Sequence, residues 1–271
     1  SNFSEYRKLV EFLFFASQSR GMESSGIALN QDSNIDFIKS NIKPEAFMKL
    51  ESFKKLFKAQ STSSGHLLAL GHARMVTNGE AEEYRNNQPI VRKNILVVHN
   101  GIITNEQQIT DQKQCFSKIC DVDSELIPLM YEDLKREHSS AKEIFSSIFQ
   151  SISGSASVAL VDSLKEELVL ASNTGSLYVV ESSDGATMFA SEKVFLERAI
   201  AKFKNYANWN GAIKQLKTNN IFVLSFKKSL NISTANNAQF KNQINDLTLK
   251  VKMNVIKLWT NDRYKNKCGI P

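Results

Sequence analysis

Four short apolar strands can be read in close succession at about 155–162, 167–172, 176–182 and 187–190, joined only by turn-length polar segments such as DSLKEE and SNTGS. Parallel neighbours need a crossover of a dozen or more residues. A run of strands grouped this way therefore predicts stacked antiparallel sheets and an α+β fold, and excludes a parallel α/β sheet.

The flanking segments supply the helices. Ser4 is placed to cap a helix running to about Gln18, with Leu9, Phe12, Leu13 and Ala16 at helical spacing. A break at Gly21 precedes a strand through Gly26 to Leu29, and two helical pieces are expected at about 34–40 and 44–59, the second opening with Pro44. The stretch from His66 to Val76 reads as an apolar strand, and Ile95 to His99 as another that runs into Asn100 and Gly101. Helices are predicted at about 123–136, 141–151 and 192–204, with a last strand at 221–226. Beyond Asn237, Phe240, Ile244, Leu247, Val251, Val255 and Leu258 recur in steps of three and four, which predicts an amphipathic helix. With no repeat and no long linker, the division expected is one domain over 1–228 and a helical extension over 229–271.

Composition narrows the function classes. A chain of 271 residues, 42% of them apolar, can bury a large core. It has no apolar run long enough to span a membrane and no secretory leader pattern, so a cytoplasmic protein with no membrane partner is expected. Cys115, Cys120 and Cys268 make an odd count that fits a reducing compartment. Neither they nor the four histidines have metal-ligand spacing, so no metal is expected; no organic cofactor is expected either. The net charge of +6 is spread among acids rather than gathered into a stripe, which makes nucleic acid an unlikely partner.

Two segments carry chemistry: GHARMVTNG at Gly71 to Gly79 and VVHNGIITN at Val97 to Asn105. An Asn-Gly pair at a strand end can aim a side-chain amide and a backbone N–H at one oxygen, the arrangement that stabilises a tetrahedral oxyanion. Arg74 has the planar fork that pairs with a carboxylate, and Asp123 could hold an ammonium, although alone it reads better as the N-cap of the helix that follows.

The order of these blocks resembles the class II (N-terminal nucleophile) glutamine amidotransferases, most closely the glutaminase domain of glucosamine-6-phosphate synthase and related sugar amidotransferases. RGMESSG at Arg20 to Gly26 is similar to the family's RGxDSxG, GHARMVTNG to its GHTRWATHG, and VVHNGIITN to its VVHNGIIxN. VDSE at Val122 to Glu125 resembles TDTE, and FASE at Phe189 to Glu192 resembles FxASD. The resemblance implies a four-layer αββα sandwich of two antiparallel sheets, the Ntn-hydrolase-like fold. It implies glutamine as ligand, hydrolysed to glutamate and ammonia. By the same likeness Arg74 would bind the glutamine carboxylate, Thr77 and Asn78 would line the pocket, Asn100 and Gly101 would form the oxyanion hole, and Asp123 would take the ammonium. The ammonia acceptor would be a synthetase or acceptor domain or subunit; a homo-oligomer is the other partnership considered.

The chain departs from the family at Asn78, Met75 and Val76, where the sugar synthases carry His and Trp-Ala, and at Glu23 and Glu192, where they carry aspartate. The family's opening strand, led by the catalytic cysteine, has no match in the nineteen residues before Arg20. The expectation is therefore a domain whose first strand and nucleophile are missing, with Ser1 and Cys120 poor substitutes. It is either part of an active glutaminase or an inactive fold retained for binding or assembly.

Overall fold

Successive residues of one strand, Ile95–Ile103 (β5), show how the layers are made. Ile95 and Val97 pack into one buried cluster, and Leu96 and Val98 into another on the opposite face. This is the period of two that puts alternate side chains on opposite faces. Both faces of the sheet that holds β5 are thus buried.

The structure is a computed structural model and describes residues 3–31, 34–59, 67–183, 185–204, 208–209, 211–225 and 231–232. In chain order the elements are α1 (Phe3–Ala16), β1 (Ser24–Gln31), β2 (Asn34–Ser40), α2 (Pro44–Phe47), α3 (Glu51–Ala59), β3 (Ala69–Arg74), β4 (Ile90–Arg92) and β5. There follow α4 (Glu106–Gln112), α5 (Leu126–Leu134), α6 (Ala141–Ser151), β6 (Gly154–Asp162), β7 (Glu167–Ser172), β8 (Tyr178–Glu181) and β9 (Thr187–Ala190). Last come α7 (Lys193–Lys202), β10 (Lys214–Gln215), β11 (Ile221–Ser225) and β12 (Asn231–Ile232).

The sheets run β12-β2-β1-β3, β11-β7-β6-β5-β4 and β10-β8-β9, with every pairing antiparallel except the short β12 beside β2. Apolar residues of β5, β6 and β7 pack on one face against α5 and α6, through Leu126, Ile127, Ile144 and Phe145. On the other face Leu96, Val98, Ala159, Val161, Leu168 and Leu170 meet Ala28, Phe37 and Leu70 of the second sheet and Val179 of the third. The outer helical layer, α1 and α7, covers Val180 of β8 and Met188 of β9 through Leu9, Leu196 and Ala199. Phe14, Phe47, Phe53 and Phe57 extend that layer as a chain of ring contacts. Helix, sheet, sheet, helix is the αββα sandwich expected.

Several elements differ in detail from the sequence reading. Residues 34–40 form a strand, not a helix: Ile35, Phe37 and Ile38 are buried, and Ile38 pairs with Ile27 across the ladder, so tertiary pairing overrides a local pattern too short to decide. The piece at 44–59 breaks into α2 and α3, with Pro44 in the first turn as predicted. Ser4 lies inside α1 rather than ahead of it. The four-strand succession divides between two sheets, β6 and β7 in one and β8 and β9 in another. α6 coincides with its predicted range and opens with a capping box between Ser140 and Glu143. The expected helix beyond residue 237 lies outside the described residues. No described helix is long and apolar enough to cross a membrane.

The face between the sheets supports a direct test. Leu170 is fully buried there, so Leu170→Ala is expected to cost about 2–5 kcal/mol through lost transfer energy and a residual cavity. Urea denaturation of the variant would show it as a lower midpoint at unchanged slope.

Candidate functional site

β3 ends on Arg74, and the turn after α1 packs directly on that residue's backbone. A Cβ on Gly21 would stand 2.1 Å from the Arg74 carbonyl carbon, so only glycine admits the approach. Glu23 N–H then donates to the Arg74 carbonyl. The Arg74 side chain is 5% exposed. Its Nη1 donates to Asn87 Oδ1 at 2.9 Å, and Nη2 to the carbonyls of Asn78 and Gly79 at 2.5 and 2.8 Å. Burial lowers the guanidinium pKa, opposed by the charges of Asp123 and Glu23. Arg74 thus shapes the 77–79 loop with donors that the sequence reading had reserved for a ligand. Thr77 and Asn78 sit on this loop, linked by a hydroxyl-to-amide bond of 3.3 Å, with Met75 and Val76 exposed beside them.

Asn100 and Gly101 lie within β5, paired with Ser157 and Ala156 of β6, and not at a strand end as expected. Gly101 has φ +151°, and a Cβ there would sit 2.0 Å from the Ser155 carbonyl oxygen. The glycine is what lets the ladder continue through the motif. Among the described residues the Asn100 carboxamide has no hydrogen-bond partner and faces a cavity. Asp123, 3% exposed, accepts from Ile103 N–H at 2.7 Å and from the Ser124 hydroxyl at 3.5 Å. It does not cap the following helix, and no described basic side chain lies within ion-pair distance of it. Arg74, Thr77, Asn78, Asn100, Gly101 and Asp123 all line one cavity of about 1360 Å³. Its walls include β3 and β9, each the end strand of its sheet.

Behind these residues lies a buried polar layer that the sequence reading missed. His72 Nε2 donates to the His99 carbonyl at 3.1 Å, which leaves Nδ1 as a sealed lone pair without a partner. Burial, reinforced by His99, lowers the His72 pKa to about 3. His99 is lowered too, by burial against the opposing charge of Asp123. Both rings are therefore neutral at physiological pH. The available signal was a histidine in the midst of apolar strand residues, in LGHAR and in VVHNG.

Cys120 takes no part in the cavity. It packs with Phe116 and Val122 on the helix-covered face of the sheet, its N–H donates to Glu125, and burial together with Glu125 pushes its thiol up to about 12. A thiol so held is not a nucleophile at neutral pH. Ser1 lies outside the described residues.

A family profile described as a glutamine amidotransferase domain matches residues 72–198, a span that holds every one of the six cavity residues singled out from the sequence. The matched residues carry a glutamine amidotransferase domain, of class II. Among curated proteins this domain is 28% identical over 208 residues to the glutamine–fructose-6-phosphate aminotransferase (isomerizing) of Buchnera aphidicola, covering 75% of the chain and 32% of that protein. The corresponding Staphylococcus aureus enzyme is 24% identical over 188 residues, covering 68% and 30%. The chain spans about a third of the length of these relatives. Two solved structures share the fold. One is described as the allosteric regulatory enzyme of purine biosynthesis, the other as glutamine phosphoribosylpyrophosphate amidotransferase from B. subtilis complexed with ADP and GMP. Their TM-scores are 0.57 and 0.56 at 17% identity, over 84% of this chain and 49% of each of theirs. They establish the Ntn-hydrolase sandwich for the amidotransferase domain.

Two outcomes are expected from the site's geometry. Gly101→Ala must displace the Ser155 carbonyl or the strand, and is expected to lower stability by at least about 1–2 kcal/mol, read by thermal melting. His72 binds a proton in the unfolded chain near pH 6.5 and in the folded chain only near pH 3. The unfolded state therefore holds more protons across that window, and stability falls as pH drops from about 7 toward 3. In denaturation curves taken across that range, His72→Gln is expected to flatten the decline.

Proposed function

We propose that this domain binds glutamine and hydrolyses its side-chain amide, releasing glutamate and passing ammonia to an acceptor. The observation that carries the reading is an Asn100 carboxamide and a buried Asp123 carboxylate in one cavity, the first without a hydrogen-bond partner and the second without an ion pair among the described residues. One suits a developing oxyanion and the other an ammonium. Asn100 and Gly101 are assigned to the oxyanion and Asp123 to the substrate ammonium. Thr77 and Asn78 line the mouth. Arg74 is assigned to the carboxylate through the N–H groups it does not spend on Asn87 and the 78–79 carbonyls.

The nucleophile required by this reading is a cysteine with a free α-amine. It attacks the amide carbon, the oxyanion collapses with departure of ammonia, and water then frees glutamate from the thioester. The end strands β3 and β9, both lining the cavity and neither paired on that side among the described residues, support delivery of that cysteine on an extended segment. A second reading, a glutamine-binding fold without hydrolysis, is favoured by Cys120 lying on the wrong face of the sheet. Residues 1–228 are assigned to the amidotransferase domain, and Asn231–Ile232 still pair with its β2. The acceptor is assigned to a further domain or subunit, and the free Cys115 and Cys120 support a cytoplasmic setting.

Glutamate release by the natural gene product, with its N-terminal residue identified by mass, tests the reading. Asn100→Ala is expected to lower kcat by ~10²–10³, and Asp123→Asn to raise KM for glutamine by at least about tenfold. Glutamine binding by calorimetry without any glutamate release would replace hydrolysis with the binding reading, and no binding would overturn both.

A further inference from the structure

The segment Tyr84–Asn86, a single 3-10 turn, leads into Asn87, Gln88 and Pro89, which lie buried between the two large sheets. Shape admits it, because a Cβ on Gly26 of β1 would stand 1.9 Å from the Gln88 carbonyl oxygen. Charge fastens it, because Lys39 of β2, cross-strand partner of Gly26, donates from Nζ to the Asn87 and Pro89 carbonyls at 2.6 and 3.1 Å. So anchored, the segment spends its side chains on the site. Asn87 accepts from Arg74. Gln88 turns the other way, toward β5.

Gln88 Oε1 accepts from His99 N–H at 2.6 Å, and its Nε2 donates to the His99 carbonyl at 2.8 Å. A side-chain amide here does what a neighbouring strand would do, holding both backbone groups of the residue immediately before Asn100. The same Nε2 lies 3.4 Å from Ser124 Oγ, which is 3.0 Å from His99 Nδ1 and adjoins Asp123. One carboxamide, 6% exposed, thereby fixes the strand that carries Asn100 and touches the hydroxyl beside Asp123.

We propose that Gln88 is a positioning residue for the oxyanion donors: its two-point clamp on the His99 backbone sets where Asn100 and Gly101 point. It touches no reacting atom. The inference rests on the glutaminase reading above and deepens it. Displacement of a reacting group by about 1 Å can cost ~10²-fold in rate, so loss of the clamp falls on kcat and leaves the Arg74 and Asp123 contacts that set glutamine affinity.

The test uses the natural gene product and three variants. Gln88→Leu is expected to lower kcat about 30- to 100-fold with KM for glutamine changed less than threefold. It is also expected to speed hydrogen exchange at the His99 amide. Gln88→Glu separates positioning from mere support, because a protonated carboxyl offers one donor and one acceptor, as the amide does, whereas a carboxylate repels the His99 carbonyl. The groups facing it are the neutral rings of His72 and His99, Lys39 from β2, Arg74 from β3 through Asn87, and Asp123 beside Ser124. All are present in the parent as well. The variant-to-parent ratio of kcat is therefore expected to rise at least tenfold as pH falls from about 8 to 5.5. Gln88→His, which keeps a donor and an acceptor, should recover part of the loss. Parent activity with unaltered kcat in Gln88→Leu, equal losses in kcat and affinity, or a flat pH ratio in Gln88→Glu would overturn the positioning role alone. An inactive parent would overturn the glutaminase reading and the positioning role with it.

Discussion

The ammonium of Lys39, buried with no carboxylate in contact among the described residues, is the point from which the site is hung. Burial lowers its pKa to about 8, a measure of how poorly the interior solvates it, and it is held instead by two main-chain carbonyls and the face of Tyr84 at 4.8 Å. An uncompensated buried charge is tolerated only where its hydrogen bonds are good. Here they fix a segment that has no regular structure of its own. From that segment Asn87 reaches Arg74 and Gln88 reaches His99. Through Gln88 this anchored loop joins the strands that line the cavity, and its precision is inherited from the sheets.

The polarity of this layer is managed without full charges. His72 and His99 stay neutral, one giving its N–H to the other's carbonyl. Two buried charges then line the cavity, Arg74 at the end of β3 and Asp123 in the turn before α5, opposite in sign and carried by different elements. A zwitterionic amino acid suits that separation, because each of its termini meets a group of opposite charge. Neutral polar groups between them provide dipoles that do not compete for the ligand's ends.

Much of this was legible from residues alone. The blocks around Arg74, Asn100 and Asp123 carry short, rigid requirements that survive in sequence: glycine at 101 because Ser155 leaves no room for a Cβ, glycine at 21 because Arg74's backbone lies against it. Helix α6 was legible because its capping box and apolar period agree. β2 was not, since Asn34–Ser40 is held by pairing with β1 and not by any local preference. Nor could spacing show that the Gln88 side chain bonds the main chain of His99, eleven residues on, or that Lys39 lies over the loop nearly fifty residues on. Contacts of that kind depend on which sheet each segment joins, and the sequence carries no periodic trace of them. The position of Asn100 within β5 was misread for a related reason: an Asn-Gly pair ordinarily marks a turn, and here the pairing with β6 carries the strand straight through it.

The edges of β3 and β9, unpaired among the described residues, have a consequence for the protein as a material. Rows of main-chain donors and acceptors left unpaired are templates for any extended chain, including another molecule's, and proteins ordinarily cover, shorten or charge such edges. β3 offers Ala69, Gly71 and Ala73 in alternation, with no charge before Arg74 at its end, and β9 is four residues without an ionisable side chain. Within these two strands no charge or proline protects the edge before Arg74. Colloidal behaviour of the domain is therefore set by whatever strand occupies the cleft, and a preparation in which the cleft is empty is one in which self-association competes with folding.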